Sequence, residues 1–288
     1  MKLHNDKKPN FIVIGSPRCG TTWLYRCLKE HPDVFLPEIK ELDFFNNNYN
    51  KGKGWYLDIF KYAGNKKAIG DVSPEYILSL EAPERIKQHF PEIKLILIMR
   101  NPVERAYSEF KLRKRHGMET RDFDVALDED LSYVSKGLYY KHLCRYLKYF
   151  PLNRICCIKY DNICSNPGSV MQKLFQFLDV NNEFIPNFLH RRTTNASMPP
   201  PRFKRLDKLL INIRLNIEKT DIGRRLLWLL RDSGLIHMIH QVNSINENEK
   251  QYDYKKLIKY FDDDIKNLSN LLYTNINWTE EIRTDSIN

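Results

Sequence analysis

Long apolar runs are missing from this sequence. The longest, such as residues 95–99 and 226–230, are far too short to cross a bilayer. Residues 1–10 are polar and charged, so no secretory signal peptide is expected at the N-terminus. We therefore predict a soluble, cytoplasmic protein with no membrane span.

Patterns typical of metal sites and disulfide frameworks are also missing. The chain has six cysteines, but it has no CxxC pair and no histidine cluster that completes a zinc-finger spacing. We predict no metal site. We also predict free thiols, because disulfides are rare in the cytosol, with a bridge from Cys156 or Cys157 as the alternative.

The charge of the chain is strongly positive, at +10 with a pI of about 9.2. Basic proteins tend to bind polyanions. Charge alone does not choose between nucleic acid, anionic membranes and phosphorylated or sulfated small molecules. Because no zinc-finger spacing or RNP signature is present, a phosphorylated ligand is at least as good an interpretation, and no nucleic-acid partner is predicted. A length of 288 residues suits one large α/β domain covering 1–288, with flexible ends at 1–9 and 280–288; two small domains are the alternative.

The first 31 residues predict a strand, a glycine loop and a helix. Residues 11–14 are an apolar run that ends at Gly15, which is typical of a buried parallel strand. After Gly20 the apolar residues fall on one helical face. This helix stops at His31, because a residue before proline avoids helical geometry.

A second strand and helix follow the same order. Residues 94–99 predict a buried strand that leads directly into Arg100. Asn101 is a favoured N-cap and Pro102 fits the first helical position, so a helix is predicted from Pro102 to about Arg115.

The alternation continues with a strand at 155–160 and a helix at 167–178, which predicts an α/β fold with a central parallel sheet flanked by helices. Residues 193–202 contain three consecutive prolines and predict a loop. A basic, mostly helical region is expected at 205–230. A single last helix is expected at 254–272, where apolar residues form one stripe.

The first glycine loop has the features of a phosphate site. Its sequence, Gly15-Ser-Pro-Arg-Cys-Gly-Thr-Thr22, follows a strand and opens a helix, and helix N-termini present unpaired amides to anions. The lysine of a P-loop is replaced by Thr21, which argues against a kinase or NTPase. Arg18 supplies a cation inside the loop, and Thr21 and Thr22 supply hydroxyls.

Arg100 and Ser108 form a second candidate anion site. Positions 101, 104, 105 and 108 share one helical face, so Ser108 is expected near the helix opening that Arg100 precedes. Both side chains are therefore expected to approach a single phosphate.

These motifs resemble those of sulfotransferases that use 3'-phosphoadenosine-5'-phosphosulfate (PAPS). Ser16-Pro-Arg-Cys-Gly-Thr-Thr-Trp-Leu24 resembles their 5'-phosphosulfate loop, and Arg100-Asn-Pro-Val-Glu-Arg-Ala-Tyr-Ser108 resembles their 3'-phosphate segment. Lys40-Glu-Leu-Asp-Phe-Phe45 is similar to the acceptor segment of the heparan-sulfate and bacterial carbohydrate-type branch. The resemblance implies a P-loop-like three-layer fold and binding of PAPS without a metal.

The resemblance also implies a role for each matched position. Arg18 and the segment Cys19, Gly20, Thr21, Thr22 and Trp23 would bind the donor, with Arg18 stabilising charge on its 5'-phosphate. Glu41 would be the base that takes the acceptor proton, and Lys40 would help to hold donor or acceptor. Tyr139 would either contact the nucleotide or be an aromatic residue of the core. Arg191, Arg192 and Asn195 lie where the family has a late donor-binding loop, although its usual Lys-Gly signature is missing.

One position departs from the carbohydrate-type pattern. Those enzymes often carry a catalytic lysine just before a Ser/Thr-Pro-x-Tyr segment, where this chain has Val72. Either that cation is not used, or Lys40 or another basic residue replaces it. The steroid- and phenol-type branch uses a histidine base, so His89, His116 and His142 stay open as alternatives.

The sequence therefore predicts transfer of a sulfuryl group from PAPS to a hydroxyl or amine, releasing adenosine 3',5'-bisphosphate. A saccharide is the expected acceptor, because Glu41 lies in a carbohydrate-type motif. The alternatives are a lipid or phenol acceptor, a P-loop nucleotide kinase or NTPase, and an inert polyanion-binding protein.

Overall fold

A central parallel sheet organises the protein. The computed structural model describes residues 7–191 and 252–274, together with 276 and 278. Among these residues five strands pair in the order β2-β3-β1-β4-β5, and every pair is parallel. The strands are β1 Phe11–Gly15, β2 Val34–Phe35, β3 Ala68–Val72, β4 Lys94–Met99 and β5 Ile155–Lys159.

Burial explains why the middle strands are apolar. Every residue of β1 and β3 is buried, as is β4 after Lys94. β1 and, after Lys94, β4 carry continuous apolar runs because neither face of the sheet contacts water there, whereas buried β3 also contains Gly70 and Asp71. The predicted strands at 11–14, 94–99 and 155–160 are confirmed, the last ending one residue earlier, at Lys159.

Helices connect the strands, and the predicted α/β sheet flanked by helices is confirmed. The first helix begins at Thr21, and the fourth runs from Pro102 to Arg115 as predicted. Asn101 caps the latter by accepting hydrogen bonds from the amides of Val103 and Glu104. The helices are α1 Thr21–Glu30, α2 Gly52–Asp58, α3 Ala82–His89, α4 Pro102–Arg115, α5 Phe123–Glu129, α6 Ser132–Ser135, α7 Tyr139–Leu147, α8 Tyr160–Ser165, α9 Pro167–Phe177, α10 Tyr254–Ile258 and α11 Asp262–Leu272.

The prediction of one continuous helix at 254–272 is wrong. The apolar stripe is present, but the chain turns after Ile258 and a new helix begins at Asp262. Three aspartates occupy the first turn of α11, where the positive end of a helix dipole favours them. The negative charge at residues 262–264 therefore favours the start of a new helix over continuation of α10.

The described residues fall into two compact units. One is drawn from Met1–Arg100 and Lys141–Thr193 and contains the sheet; the other is drawn from Asn101–Tyr140 and Thr194–Asn288. A single sulfotransferase domain at 1–288 stays a prediction. The expected loop at 193–202 and helical region at 205–230 lie outside the described residues.

All six cysteines are free thiols, as predicted. None of the helices in the described parts of the chain is long and apolar enough to span a membrane. The cytoplasmic location stays a prediction.

Candidate active site

The candidate site lies at one edge of the sheet in the first unit. Strands β1, β3, β4 and β5 are parallel, so the residues that follow them emerge at the same edge. From β1 the chain places β2 and β3 on one side and β4 and β5 on the other. Open α/β sheets bind ligands at the carboxyl ends of strands where the order reverses, which here lies between β1 and β4.

The loop after β1 is tied to β4 and opens α1. The Ser16 amide donates to the Ile98 carbonyl at 2.9 Å, and the Cys19 amide donates to the Ser16 carbonyl at 3.2 Å. Arg18 and Gly20 have left-handed backbone conformations, with φ of 68° and 87°. No side chain caps α1, so the amides of its first turn point out of the helix without a carbonyl partner.

A buried hydroxyl in this loop also fits a polar ligand. Ser16 is 0% exposed, and its Oγ has no hydrogen-bond partner among the described residues. A buried polar atom without a partner is costly, and a bound anion is one way to satisfy it. The loop therefore offers both backbone and side-chain donors to a phosphate.

Lys40 links the loop to the acceptor segment. Its ammonium lies 3.4 Å from Thr21 Oγ1 and 2.5 Å from Glu41 Oε1. The Lys40 side chain is only 8% exposed, whereas that of Glu41 is 52% exposed. Val72, where the family pattern has a lysine, is buried, and replacement of that lysine by Lys40 stays a prediction.

The backbone around Glu41 is fastened to the end of β3. The Glu41 amide donates to the Val72 carbonyl at 2.9 Å, and the Phe44 amide donates to the Tyr76 hydroxyl at 2.8 Å. Glu41 and Asp43 both have positive φ, at 67° and 49°. Non-glycine residues in this region persist only where surrounding contacts hold them, and such residues cluster at functional sites.

Two further carboxyl groups lie beside Glu41, and sequence reasoning missed both. Burial, reinforced by Glu41, Asp71 and Glu75, raises the pKa of Asp43 to about 7, and Lys40 opposes this. Burial raises the pKa of Asp71 to about 6, although hydrogen bonds from Ser73, Tyr76 and Tyr56 oppose the shift. Burial is the largest cause of both shifts, and the burial of a single carboxyl group cannot be read from the sequence around it.

Tyr160 is the other residue that sequence reasoning missed. It begins α8 directly after β5, and the guanidinium carbon of Arg100 lies 4.8 Å from its ring centroid. A Cβ added at Gly20 would lie 3.0 Å from Tyr160 Cε2. Arg100 and the phosphate loop therefore pack against the same ring, which brings the two candidate anion sites together.

Residues 8–206 match the family of sulfotransferase domains. The chain belongs to the sulfotransferase family. Over 197 residues it is 34% identical to bifunctional heparan sulfate N-deacetylase/N-sulfotransferase 4 of Mus musculus, covering 61% of this chain and 23% of that protein. Over 179 residues it is 32% identical to heparan sulfate glucosamine 3-O-sulfotransferase 3B1 of Mus musculus, covering 59% of this chain and 46% of that protein. The chain thus spans less than half the length of these relatives.

A solved sulfotransferase from Alicyclobacillus acidocaldarius has the same fold. The two chains align with a TM-score of 0.69 and 20% identity, covering 95% of this chain and 99% of that chain. This likeness confirms the predicted P-loop-like α/β fold.

Two predicted donor contacts of this sulfotransferase lie in the second unit. Ser108 is 3% exposed on α4. Tyr139 is 0% exposed, and its ring centroid lies 5.9 Å from that of Trp278. Both positions are buried, and their contacts with the nucleotide stay predictions.

The remaining predicted donor contacts have different surroundings. Trp23 is 5% exposed and donates its indole N–H to the Leu189 carbonyl at 3.1 Å, so this ring also fastens α1 to a later segment. Arg191 is exposed at the end of the described range. Arg192 and Asn195 lie outside the described residues.

The three histidines of the alternative mechanism are in different settings. His89 Nε2 lies 2.9 Å from the Tyr49 hydroxyl, and its pKa is lowered by burial and by Lys53. His142 Nδ1 lies 2.6 Å from Arg145 Nη2, so this nitrogen accepts the hydrogen bond. His116 follows the last residue of α4 in the second unit. Lys40 and Glu41, not a histidine, are the pair in direct contact beside the phosphate loop.

Proposed function

We propose that this protein transfers the sulfuryl group of PAPS to a hydroxyl or amine of a saccharide. The observation that carries the proposal is the packing of Gly20 and Arg100 against the single ring of Tyr160 at the sheet edge. A nucleotide with phosphates at both ends of its ribose needs two such anion sites held at a fixed separation.

The phosphate loop is assigned to the 5' end of the donor. The amides of Gly20, Thr21 and Thr22 and the Arg18 guanidinium bind its 5'-phosphate, since an uncapped helix N-terminus favours an anion. The Cys19 amide already donates a hydrogen bond to the Ser16 carbonyl, so it contributes less to phosphate binding than the sequence predicts. Arg100 is assigned to the 3'-phosphate, with Ser108 as a predicted second donor.

Glu41 and Lys40 are assigned to the transfer. The acceptor oxygen or nitrogen forms a bond to sulfur while the bond from sulfur to the 5'-phosphate oxygen breaks, and that oxygen keeps the electron pair. The acceptor proton passes to Glu41. Arg18 and Lys40 stabilise the negative charge that grows on the leaving phosphate, which is how positioned cations accelerate such transfers.

The acceptor class follows from the relatives and from the Lys40-to-Phe45 motif. Both relatives named above are described by their action on heparan sulfate. A saccharide is therefore the acceptor proposed here, and a lipid or phenol acceptor is the alternative outcome of an acceptor screen with labelled PAPS.

Nucleotide binding without a metal is the first test. Adenosine 3',5'-bisphosphate at about 100 times its Kd should stabilise the fold by about 2.7 kcal/mol, a Tm rise of several degrees. Arg18→Ala and Arg100→Ala should each weaken binding by about 10- to 100-fold, because each removes charge-assisted hydrogen bonds. Arg154→Ala is the matched control, since Arg154 pairs with exposed Glu92.

ATP with magnesium is the comparison ligand. A kinase or NTPase would be stabilised by ATP and Mg²⁺ and not by the bisphosphate, and that result would overturn the proposal. Glu41→Gln should retain bisphosphate binding and lose turnover; full activity in this variant would refute Glu41 as the base.

A further inference from the structure

The position of the Lys40 ammonium has a consequence for the order of events. It contacts Glu41, the proposed base, and Thr21, the first residue of α1 in the phosphate loop. One cation therefore lies between the donor side and the acceptor side of the site. It has to serve two anions in turn, the Glu41 carboxylate and the incoming phosphosulfate.

The exposure of the two partners decides which contact is given up. Lys40 is nearly buried, so its charge needs a counter-ion close by, because an unpaired buried charge is strongly unfavourable. Glu41 is half exposed and keeps much of its hydration when the ion pair opens. A polyanion arriving at Thr21 can replace Glu41 as the partner of Lys40 at little cost.

We propose that Lys40 couples the base to the donor. Without donor, Lys40 holds Glu41 in an ion pair, which makes the carboxylate a poorer proton acceptor. Donor binding draws Lys40 toward the phosphosulfate and releases Glu41 to accept the acceptor proton. This inference rests on the proposed function, and it implies that the donor binds before the acceptor is activated.

Glu41 and the donor phosphate compete for Lys40, so the affinity for a donor nucleotide reports on this competition and can be measured without turnover. Calorimetry with adenosine 3',5'-bisphosphate would compare wild type with Glu41→Gln, Lys40→Met and the double variant. In Glu41→Gln the ion pair with Lys40 is lost, so the bisphosphate no longer competes with Glu41 for Lys40. Because that ion pair is partly exposed, the gain is small, and the variant should bind the bisphosphate about two- to fivefold more tightly than wild type. In the Lys40→Met background the same change should bring no gain, since the competing pair is already absent.

Two controls separate the competition from simple charge repulsion and from damage to the fold. Glu38→Gln removes the same charge from an exposed residue that pairs with Lys29, and it should leave affinity unchanged. Lys40→Gln repeats the cycle with a polar side chain in case the methionine variant does not fold.

The outcomes are distinct. No gain in Glu41→Gln, or an equal gain with and without Lys40, would overturn the coupling while leaving the sulfotransferase proposal intact. Failure of wild type to bind the bisphosphate would overturn both.

Discussion

Replacing Gly20 by alanine tests whether Tyr160 holds the two anion sites together. The backbone at Gly20 has φ of 87°, and a left-handed conformation costs a residue with a Cβ about 1–2 kcal/mol. The new Cβ would also lie 3.0 Å from Tyr160 Cε2 and 3.1 Å from its Cδ2, so the ring must shift by a few tenths of an ångström. The expected loss in the free energy of unfolding is about 2–3 kcal/mol.

The shift of the Tyr160 ring should also move Arg100, because the guanidinium carbon of Arg100 lies 4.8 Å from the centroid of that ring. Adenosine 3',5'-bisphosphate should therefore bind about tenfold more weakly to Gly20→Ala, as measured by calorimetry on the folded variant, since a misplaced charge-assisted contact is worth about 1.5 kcal/mol or more. Tyr160→Ala should cost less stability in the Gly20→Ala background than in wild type, because the clash is relieved.

Gly52 provides a matched control for this experiment. It also has a positive φ, 80°, but a Cβ there would have nothing within 4 Å. Gly52→Ala should destabilise the protein through the backbone alone and leave bisphosphate affinity at the wild-type value. If Gly20→Ala loses stability but binds the bisphosphate as tightly as Gly52→Ala does, the proposed link through Tyr160 is refuted.

Two further predictions concern buried carboxyl groups. Because the pKa of Asp43 is raised to about 7, the folded protein holds its proton more tightly than the unfolded chain, and stability falls as pH rises from about 4 to about 7. Asp43→Asn should therefore be more stable than wild type at pH 8, by about 1–3 kcal/mol in urea denaturation, and should show no gain at pH 4; an equal gain at both would contradict the shift. Burial alone would raise the pKa of Glu109, but Arg105 and Lys136 lower it to about 2. Glu109→Gln should cost about 3 kcal/mol at pH 7, because it leaves buried Arg105 without its partner at 2.8 Å; a loss below the error of the denaturation curve would contradict this account.

Strands with a continuous apolar sequence could be predicted from the chain alone, and β3 could not. Residues 11–14 and 95–99 are unbroken apolar runs, whereas β3 contains Gly70 and Asp71. Gly70 is required because a Cβ there would lie 2.1 Å from the ring of Phe11 on the neighbouring strand. Asp71 is tolerated because three hydroxyl groups donate to it. The first reason depends on Phe11, which lies 59 positions before Gly70, and the second depends on the fold that turns Ser73, Tyr76 and Tyr56 toward Asp71.

The residues of the candidate site likewise fall into those that the sequence alone reveals and those that it does not. Arg18 and Arg100 belong to local motifs that follow apolar strands, so sequence spacing is enough to find them. The contact of Lys40 with Thr21 spans 19 residues, and Tyr160 lies 140 positions after Gly20. Such pairs become visible only when the strand order is known. The sequence alone therefore does not reveal the contact of Lys40 with Thr21 or the packing of Tyr160 against Gly20.

The attachment of the acceptor segment to β3 limits how this enzyme can acquire new acceptors. The Glu41 amide donates to the Val72 carbonyl and the Phe44 amide to the Tyr76 hydroxyl, so the backbone that carries the proposed base is tied to β3 and to the segment that follows it. Changes that broaden acceptor choice should therefore arise in parts of the chain that lack such ties. Insertions next to Glu41 should instead displace the proposed base and reduce catalysis for every acceptor alike.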